Sequence, residues 1–256
     1  MSSSKYIIHT DKEIVGIRKA AQAAASVREQ LKILIQSGMS TKDIDNLAKE
    51  LIESTGGKSA FLGYFGFPGQ ICISLNDEVV HGIGSCDRTV VDGDLVSFDI
   101  GVSLDGFIGD NAESIILGVS DNEAAEHLIK NTRLALHEAI KVSLKGHYIR
   151  DISCAVQKVA QKANLGIVRD YVGHGCGVKL HEPPEVPNYR TPDKGPKLRN
   201  GMVLAIEPML NLGTNKVKVD KDGWTVRTHD AKLSAHFEHM VLINDDKPEI
   251  LTWPKK

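Results

Sequence analysis

The chain has 256 residues, with 31 Lys+Arg against 33 Asp+Glu, a formal net charge of −2 and 41% hydrophobic residues. That balance excludes intrinsic disorder, collagen-like or low-complexity scaffolds, and a charge-driven grip on nucleic acid of any sequence. A chain of this length buries roughly three quarters of its unfolded surface and needs no covalent staples. Its 4 cysteines, Cys72, Cys86, Cys154 and Cys176, form no CxxC pair and are expected to be buried reduced thiols, Cys72 aside. No apolar run approaches the ~18 residues of a membrane span. The stretch 1–13 lacks the apolar core of a secretory leader, so the expected compartment is the reducing cytoplasm.

In chain order, Thr10-Asp11-Lys12-Glu13 opens a helix running to about Ile35, and Ser120-Asp121-Asn122-Glu123 opens another to about Ser143. Both are capping-box patterns, in which a hydroxyl accepts from an early helix N–H and the Glu reaches back. Each ends near a glycine, Gly38 and Gly146. A second helix follows each, at about Thr41–Glu53 and about Ile149–Lys162. The offset between these units is steady: Gly38 and Gly146, Asp43 and Asp151, and the strands Gly93–Asp99 and Gly201–Glu207 all lie 108 positions apart. The chain is therefore expected to be one α+β domain over 1–256, a pseudo-twofold duplication with halves of about 10–118 and 119–256 and a site between them. The stretch Glu182–Asn200 carries Pro183, Pro184, Pro187, Pro192 and Pro196, and is expected to be a loop at a rim.

Asp99 and Asp110 flank Asp105-Gly106, a strong signal for a two-residue hairpin turn. With that turn Leu104 faces Phe107, and counting back puts both carboxylates on one sheet face as diagonal neighbours. The residues around them, Val96, Phe98, Ile100, Ile115 and Ile116, are expected to be buried. Two acids in such surroundings need a cation. Glu207 holds the position of Asp99 in the second half. Glu238 lies in an expected strand Ala235–Ile243, with His236, Met240 and Leu242 on its face. His174 sits among Gly173, Gly175 and Gly177, with His181 seven residues on; neither this stretch nor the one around Glu238 matches the zinc motif HExxH. Four carboxylates and one imidazole suit Mn, Fe, Co or Zn rather than a thiolate zinc site, and two such ions match four negative charges. No nucleophile elbow, phosphate loop or dinucleotide fingerprint competes.

With these residues the sequence closely resembles the type I methionine aminopeptidases of the pita-bread fold, a central antiparallel sheet covered by two helix pairs. The match runs from about Thr10 to Leu251. It is carried by CISLNDEVVHGIG (72–84), GDLVSFDIGVSLDGFIGD (93–110), GHGCGVKLHEPP (173–184), GMVLAIEPML (201–210) and DGWTVRTHDAKLSAHFEH (222–239). The resemblance implies a dinuclear centre of two divalent ions (Co, Mn, Fe, Zn or Ni) on Asp99, Asp110, His174, Glu207 and Glu238, with a bridging hydroxide. It implies Glu207 as base and His81 and His181 as substrate-holding, oxyanion-stabilising groups. It implies a methionine slot of Phe61, Tyr64, Phe67, Cys72 and Trp224, with Leu180 at its edge. A monovalent cation near Asn76 and Ser234 belongs to the same expectation. The implied reaction is removal of the initiator methionine from nascent chains whose second residue is small. A monomer with transient ribosome contact, no specific nucleic acid and no membrane is implied as well. Phe61, Phe65, Val80 and Gly84 depart from the commonest bacterial pattern. The nearest rival is a prolidase or aminopeptidase P on the same scaffold, which adds an N-terminal domain and a further site histidine. A non-catalytic binding protein is the third reading, and would be expected to have lost metal ligands.

Overall fold

The computed structural model describes residues 6–254; the first five residues of the stretch read above for a leader lie outside them. Helix α1, Asp11–Leu34, begins at Thr10, whose hydroxyl accepts from the Glu13 N–H while Glu13 accepts from the Thr10 N–H at 2.7 Å. Its buried face is built from alanines at 20, 21, 23, 24 and 25, so it lies very close to the sheet. A Cβ placed on Gly109 would stand 2.1 Å from the carbonyl oxygen of Ala20. Helix α2, Thr41–Ser54, has the same reciprocal cap from Ser40 and Asp43. Strand β1 (Lys58–Ser59), a short 3-10 turn (Tyr64–Gly66), β2 (Cys72–Leu75) and β3 (Glu78–Val80) lead to the long hairpin β4 (Leu95–Leu104) and β5 (Phe107–Ile116). Asp105 and Gly106 both adopt positive φ, 52° and 83°, and Leu104 pairs with Phe107.

Helices α3 (Glu123–Lys141) and α4 (Ile149–Lys162) precede β6 (Gly166–Ile167), β7 (Gly173–Gly175), β8 (Glu182–Val186), β9 (Val203–Ile206) and β10 (Met209–Asn211). Then come β11 (Val217–Val219), β12 (Val226–Thr228), β13 (Ser234–His236), β14 (His239–Leu242) and β15 (Glu249–Ile250). The starts of α2 and α4, of β1 and β6, and of β4 and β9 are each 108 positions apart.

Five local expectations are corrected. Helix α3 is capped by Asn122, whose side chain accepts from Ala125 N–H; the Ser120 hydroxyl is spent on the Asn122 N–H at 3.2 Å. The proline-rich stretch opens with strand β8, tolerated because it is the edge of the sheet ordered β15-β14-β9-β7-β8. Residues 235–243 form two strands, because Glu238 N–H leaves its own ladder and donates to Ala112 O of β5 at 3.0 Å. Cys86 is exposed in a turn and Cys154 half-buried; only Cys72 and Cys176 are buried thiols. Ile115 and Ile116, near the end of β5, are half-buried.

Every strand pairing is antiparallel among the described residues. One core packs α1 and α2, through Val27, Leu31, Ile44 and Ile52, on Phe98 and Ile100 of β4. A second packs α3 and α4, through Leu128, Leu136 and Ile152, on Leu204, Ile206 and Leu210. Strand alternation then turns Asp99 away from the helices. The sheets of the two cores are joined where Ser114 of β5 bonds both the carbonyl and the N–H of His236, at 2.8 and 2.9 Å.

Candidate metal centre and peptide pocket

The hairpin register sets the first two carboxylates. Asp110 lies opposite Gly101, two residues from Asp99, so both project from one face as diagonal neighbours. Glu207 directly follows β9 and Glu238 directly precedes β14. His174 of β7 lies opposite Ala205 of β9. Its flanking glycines are required by the crowding: a Cβ at 173 would meet Ala205 O at 2.4 Å, and one at 175 would meet Pro183 O at 2.6 Å. Asp110, His174 and Glu238 each present a ligand atom, and these atoms lie within 4.8 Å of one another. His174 Nε2 is 3.3 Å from Glu207 Oε1 and 3.9 Å from Asp110 Oδ2. Asp99 and Glu207 line the same cavity.

These groups fit divalent metal. Asp99 Oδ1, Asp110 Oδ1 and Glu238 Oε1 are buried with no hydrogen-bond partner, which is costly for a carboxylate unless something occupies the space between them. Burial, and then the charge of the neighbouring acids, pushes the Asp99, Asp110 and Glu238 carboxyls well above the ordinary range. Burial alone would lower His174, but Glu207 and Asp110 outweigh it and raise the imidazole. His174 Nδ1 lies 2.9 Å from Gly175 O. A carbonyl only accepts, so Nδ1 carries a proton, and Nε2, which faces the acids, is the atom that would take a metal ion in place of its own proton. Oxygen donors with one imidazole suit ions of the manganese-to-zinc range.

The cavity holds about 250 Å³. Phe61, Tyr64, Phe67, Cys72, Leu180 and Trp224 form its apolar wall. Phe67 and Trp224 meet edge to face at 5.2 Å. His81 and His181 stand on the same cavity. His81 has the left-handed φ of 61° and packs its ring on Tyr171 at 5.3 Å. His181, at the mouth, packs on His174 at 4.3 Å, and its Nδ1 meets the Tyr64 hydroxyl at 3.0 Å. Removal from water pushes His81 down to about 4; the same effect, with His174 and His81 nearby, pushes His181 to about 4. Both rings are neutral at pH 7.

The structure thus brings every residue singled out above for the divalent ions or the substrate to one cavity, whereas Asn76 and Ser234, named for a monovalent cation, do not line it. It adds Tyr171, Val172, Val80 and His236 to the lining. His236 carried a usable signal, since two-residue spacing from Glu238 puts it on the same face. Tyr171 had only its nearness to Gly173-His174. Phe65, at φ 46° and 85% exposed, forms the outer rim beside Tyr64.

The chain matches the model of metallopeptidase family M24 over residues 15–245. It is 44% identical over 246 residues to a methionine aminopeptidase of Clostridium acetobutylicum, across 96% of this chain and 98% of that protein. The crystal structure of methionine aminopeptidase from Thermotoga maritima superposes with a TM-score of 0.93 at 40% identity, covering 96% of this chain and 99% of that one. A prolidase from Pyrococcus furiosus shares the fold more distantly, with a TM-score of 0.78 at 23% identity, covering 98% of this chain but 66% of that one. The chain belongs to metallopeptidase family M24, and its α+β architecture is the pita-bread fold.

Proposed function

We propose that this chain is a methionyl aminopeptidase that uses divalent metal to remove N-terminal methionine from polypeptides whose second residue is small. The observation that carries the reading is the sharing of one cavity by five metal-competent side chains and an aromatic, thiol-bearing slot. Asp99, Asp110, His174, Glu207 and Glu238 would hold two ions. When bound, such ions supply Lewis acidity and lower the pKa of water from 15.7 toward ~7.

The remaining roles fall to the chain itself. Glu207 accepts the proton of the attacking water, with His174 beside its Oε1 at 3.3 Å. The Tyr64 hydroxyl donates to His181 Nδ1, which leaves the neutral ring's proton on Nε2 for the scissile carbonyl oxygen. His81, neutral and fixed by Tyr171, supplies a second donor. Preorganised donors of this kind stabilise the developing oxyanion. The wall of Phe61, Tyr64, Phe67, Cys72 and Trp224 takes a flexible thioether, with sulfur–aromatic contacts worth ~0.3–1.5 kcal/mol. Confinement beside the scissile bond favours a small second residue.

The recurring spacing of 108 positions supports one domain over 1–256, built as a duplication with halves of about 10–118 and 119–256. No helix of the described residues is long and apolar enough to cross a membrane; a cytoplasmic monomer acting on nascent chains accords with the substrate. A prolidase reading draws on the shared fold alone. Incubating the metal-loaded protein with Met-Ala-Ser and with Ala-Pro-Ala separates the two. Release of methionine alone is expected; release from the proline peptide alone would overturn the proposal.

A further inference from the structure

Behind the carboxylates, on the helix side of the hairpin, lies a charged group that this reaction scheme does not use. Arg28 of α1 is 4% exposed. Its Nη1 donates to Asn111 Oδ1 at 2.8 Å and stands 3.5 Å from His239 Nδ1. Asn111 directly follows Asp110, and His239 directly follows Glu238. Asn111 Nδ2 in turn donates to Ile100 O at 3.2 Å, and Ile100 directly follows Asp99. One guanidinium therefore reaches, through one or two hydrogen bonds, the chain neighbours of three candidate ligands. Asp99 and Asp110 come from β4 and β5, and Glu238 from the break between β13 and β14, far away in the chain. The guanidinium is itself fixed by Glu29, at 2.7 Å from Nη2, and by Glu113, at 3.4 Å from Nε. Lys32 and Arg133 hold Glu113 at 2.6 and 3.4 Å.

We propose that Arg28 is a positioning residue for the metal centre: its Nη1, shared between Asn111 Oδ1 and His239 Nδ1, fixes the spacing of Asp99, Asp110 and Glu238. The inference rests on the reading that these carboxylates bind metal. The planar guanidinium holds Glu29 and Glu113 through Nη2 and Nε while Nη1 serves Asn111 and His239, a division that a lysine ammonium cannot reproduce. Groups that orient metal ligands in this way typically change metal affinity by about 10–100-fold when removed.

The test is calorimetric titration of the chelator-treated full chain with Co(II), together with the visible absorption of the cobalt-loaded protein, for wild type, Arg28→Met and Arg28→Lys. All are compared at a temperature where circular dichroism shows them folded. Arg28→Met is expected to bind cobalt about 10–100-fold more weakly, with an altered spectrum. Arg28→Lys keeps the charge against Glu29 and Glu113 but loses the planar guanidinium, and is expected to show the same two changes. If Arg28→Met does not fold, Arg28→Lys decides alone. Wild-type affinity and an unchanged spectrum in the folded variants would overturn the inference while leaving the metal reading intact. A wild-type chain that takes up no cobalt would instead overturn the metal reading itself.

Discussion

Replacing Glu238 with Gln should stabilise the metal-free protein, by an amount that grows with pH. Glu238 is 2% exposed, and burial, followed by the charges of Asp110, Asp99 and Glu207, raises its carboxyl well above 4.5. A raised carboxyl keeps its proton in the folded state while the unfolded chain releases its own above about 4.5. Its contribution to stability is thus present at low pH and is lost as pH rises toward the folded value. The loss is about 1.4 kcal/mol per pH unit, or up to about 2 kcal/mol between pH 4.5 and pH 6. The lowered histidines work in the opposite direction below 6.5: His81 and His181 at about 4 and His236 at about 3, each held down chiefly by burial. They are common to both proteins and cancel in the difference. Urea unfolding with chelator present, at several pH values from 4.5 to 6, measures that difference directly. Divalent metal should then reverse the order, because ligand at 100 times Kd adds about 2.7 kcal/mol to whichever protein binds it. A Glu238→Gln protein that is no more stable than wild type at pH 6 without metal, with no trend in pH, would refute the reasoning that these carboxylates are held together against their own repulsion.

Tyr64→Phe removes the 3.0 Å contact to His181 Nδ1. It should lower kcat/KM on Met-Ala-Ser by roughly two- to tenfold, the equivalent of about 0.5–1.5 kcal/mol, with an unchanged melting temperature. Phe98→Ala empties a fully buried position beneath α1 and α2 and should cost about 3–5 kcal/mol in urea unfolding. Gly109→Ala drives a methyl to 2.1 Å from Ala20 O. Since both sides are backbone, α1 must lift from the hairpin, and a loss of about 1–3 kcal/mol is expected from overpacking, seen as a lower urea midpoint.

The parts of this molecule that were legible beforehand are those set by local chemistry. The Asp105-Gly106 turn fixes the register of β4 and β5, and register fixes the face on which Asp99 and Asp110 stand. The cap at Thr10 starts its helix as written. The misjudged parts depend on distant partners. The break at Phe237–Glu238 exists because Ala112, far away in the chain, accepts the Glu238 N–H. Strand β8 forms despite its prolines because β7 offers it an edge. Ser120 resembled a cap, yet Asn122 stands closer to the helix start and takes the Ala125 N–H. The site was legible as a set of residue types, since buried acids without cations need an explanation. The placing of Tyr171 against His81, and of Arg28 behind the ligands, follows from packing between segments and had no local signature.

Removal of N-terminal methionine is proposed to take place in one metal-filled cavity. The most direct test is release of methionine from Met-Ala-Ser by chelator-treated protein as Mn(II) or Co(II) is added back. No release is expected without metal, restoration is expected as metal is added, and Asp99→Asn is expected to release none under the same conditions. Methionine release that survives chelation, or that Asp99→Asn retains in full, would contradict the proposal.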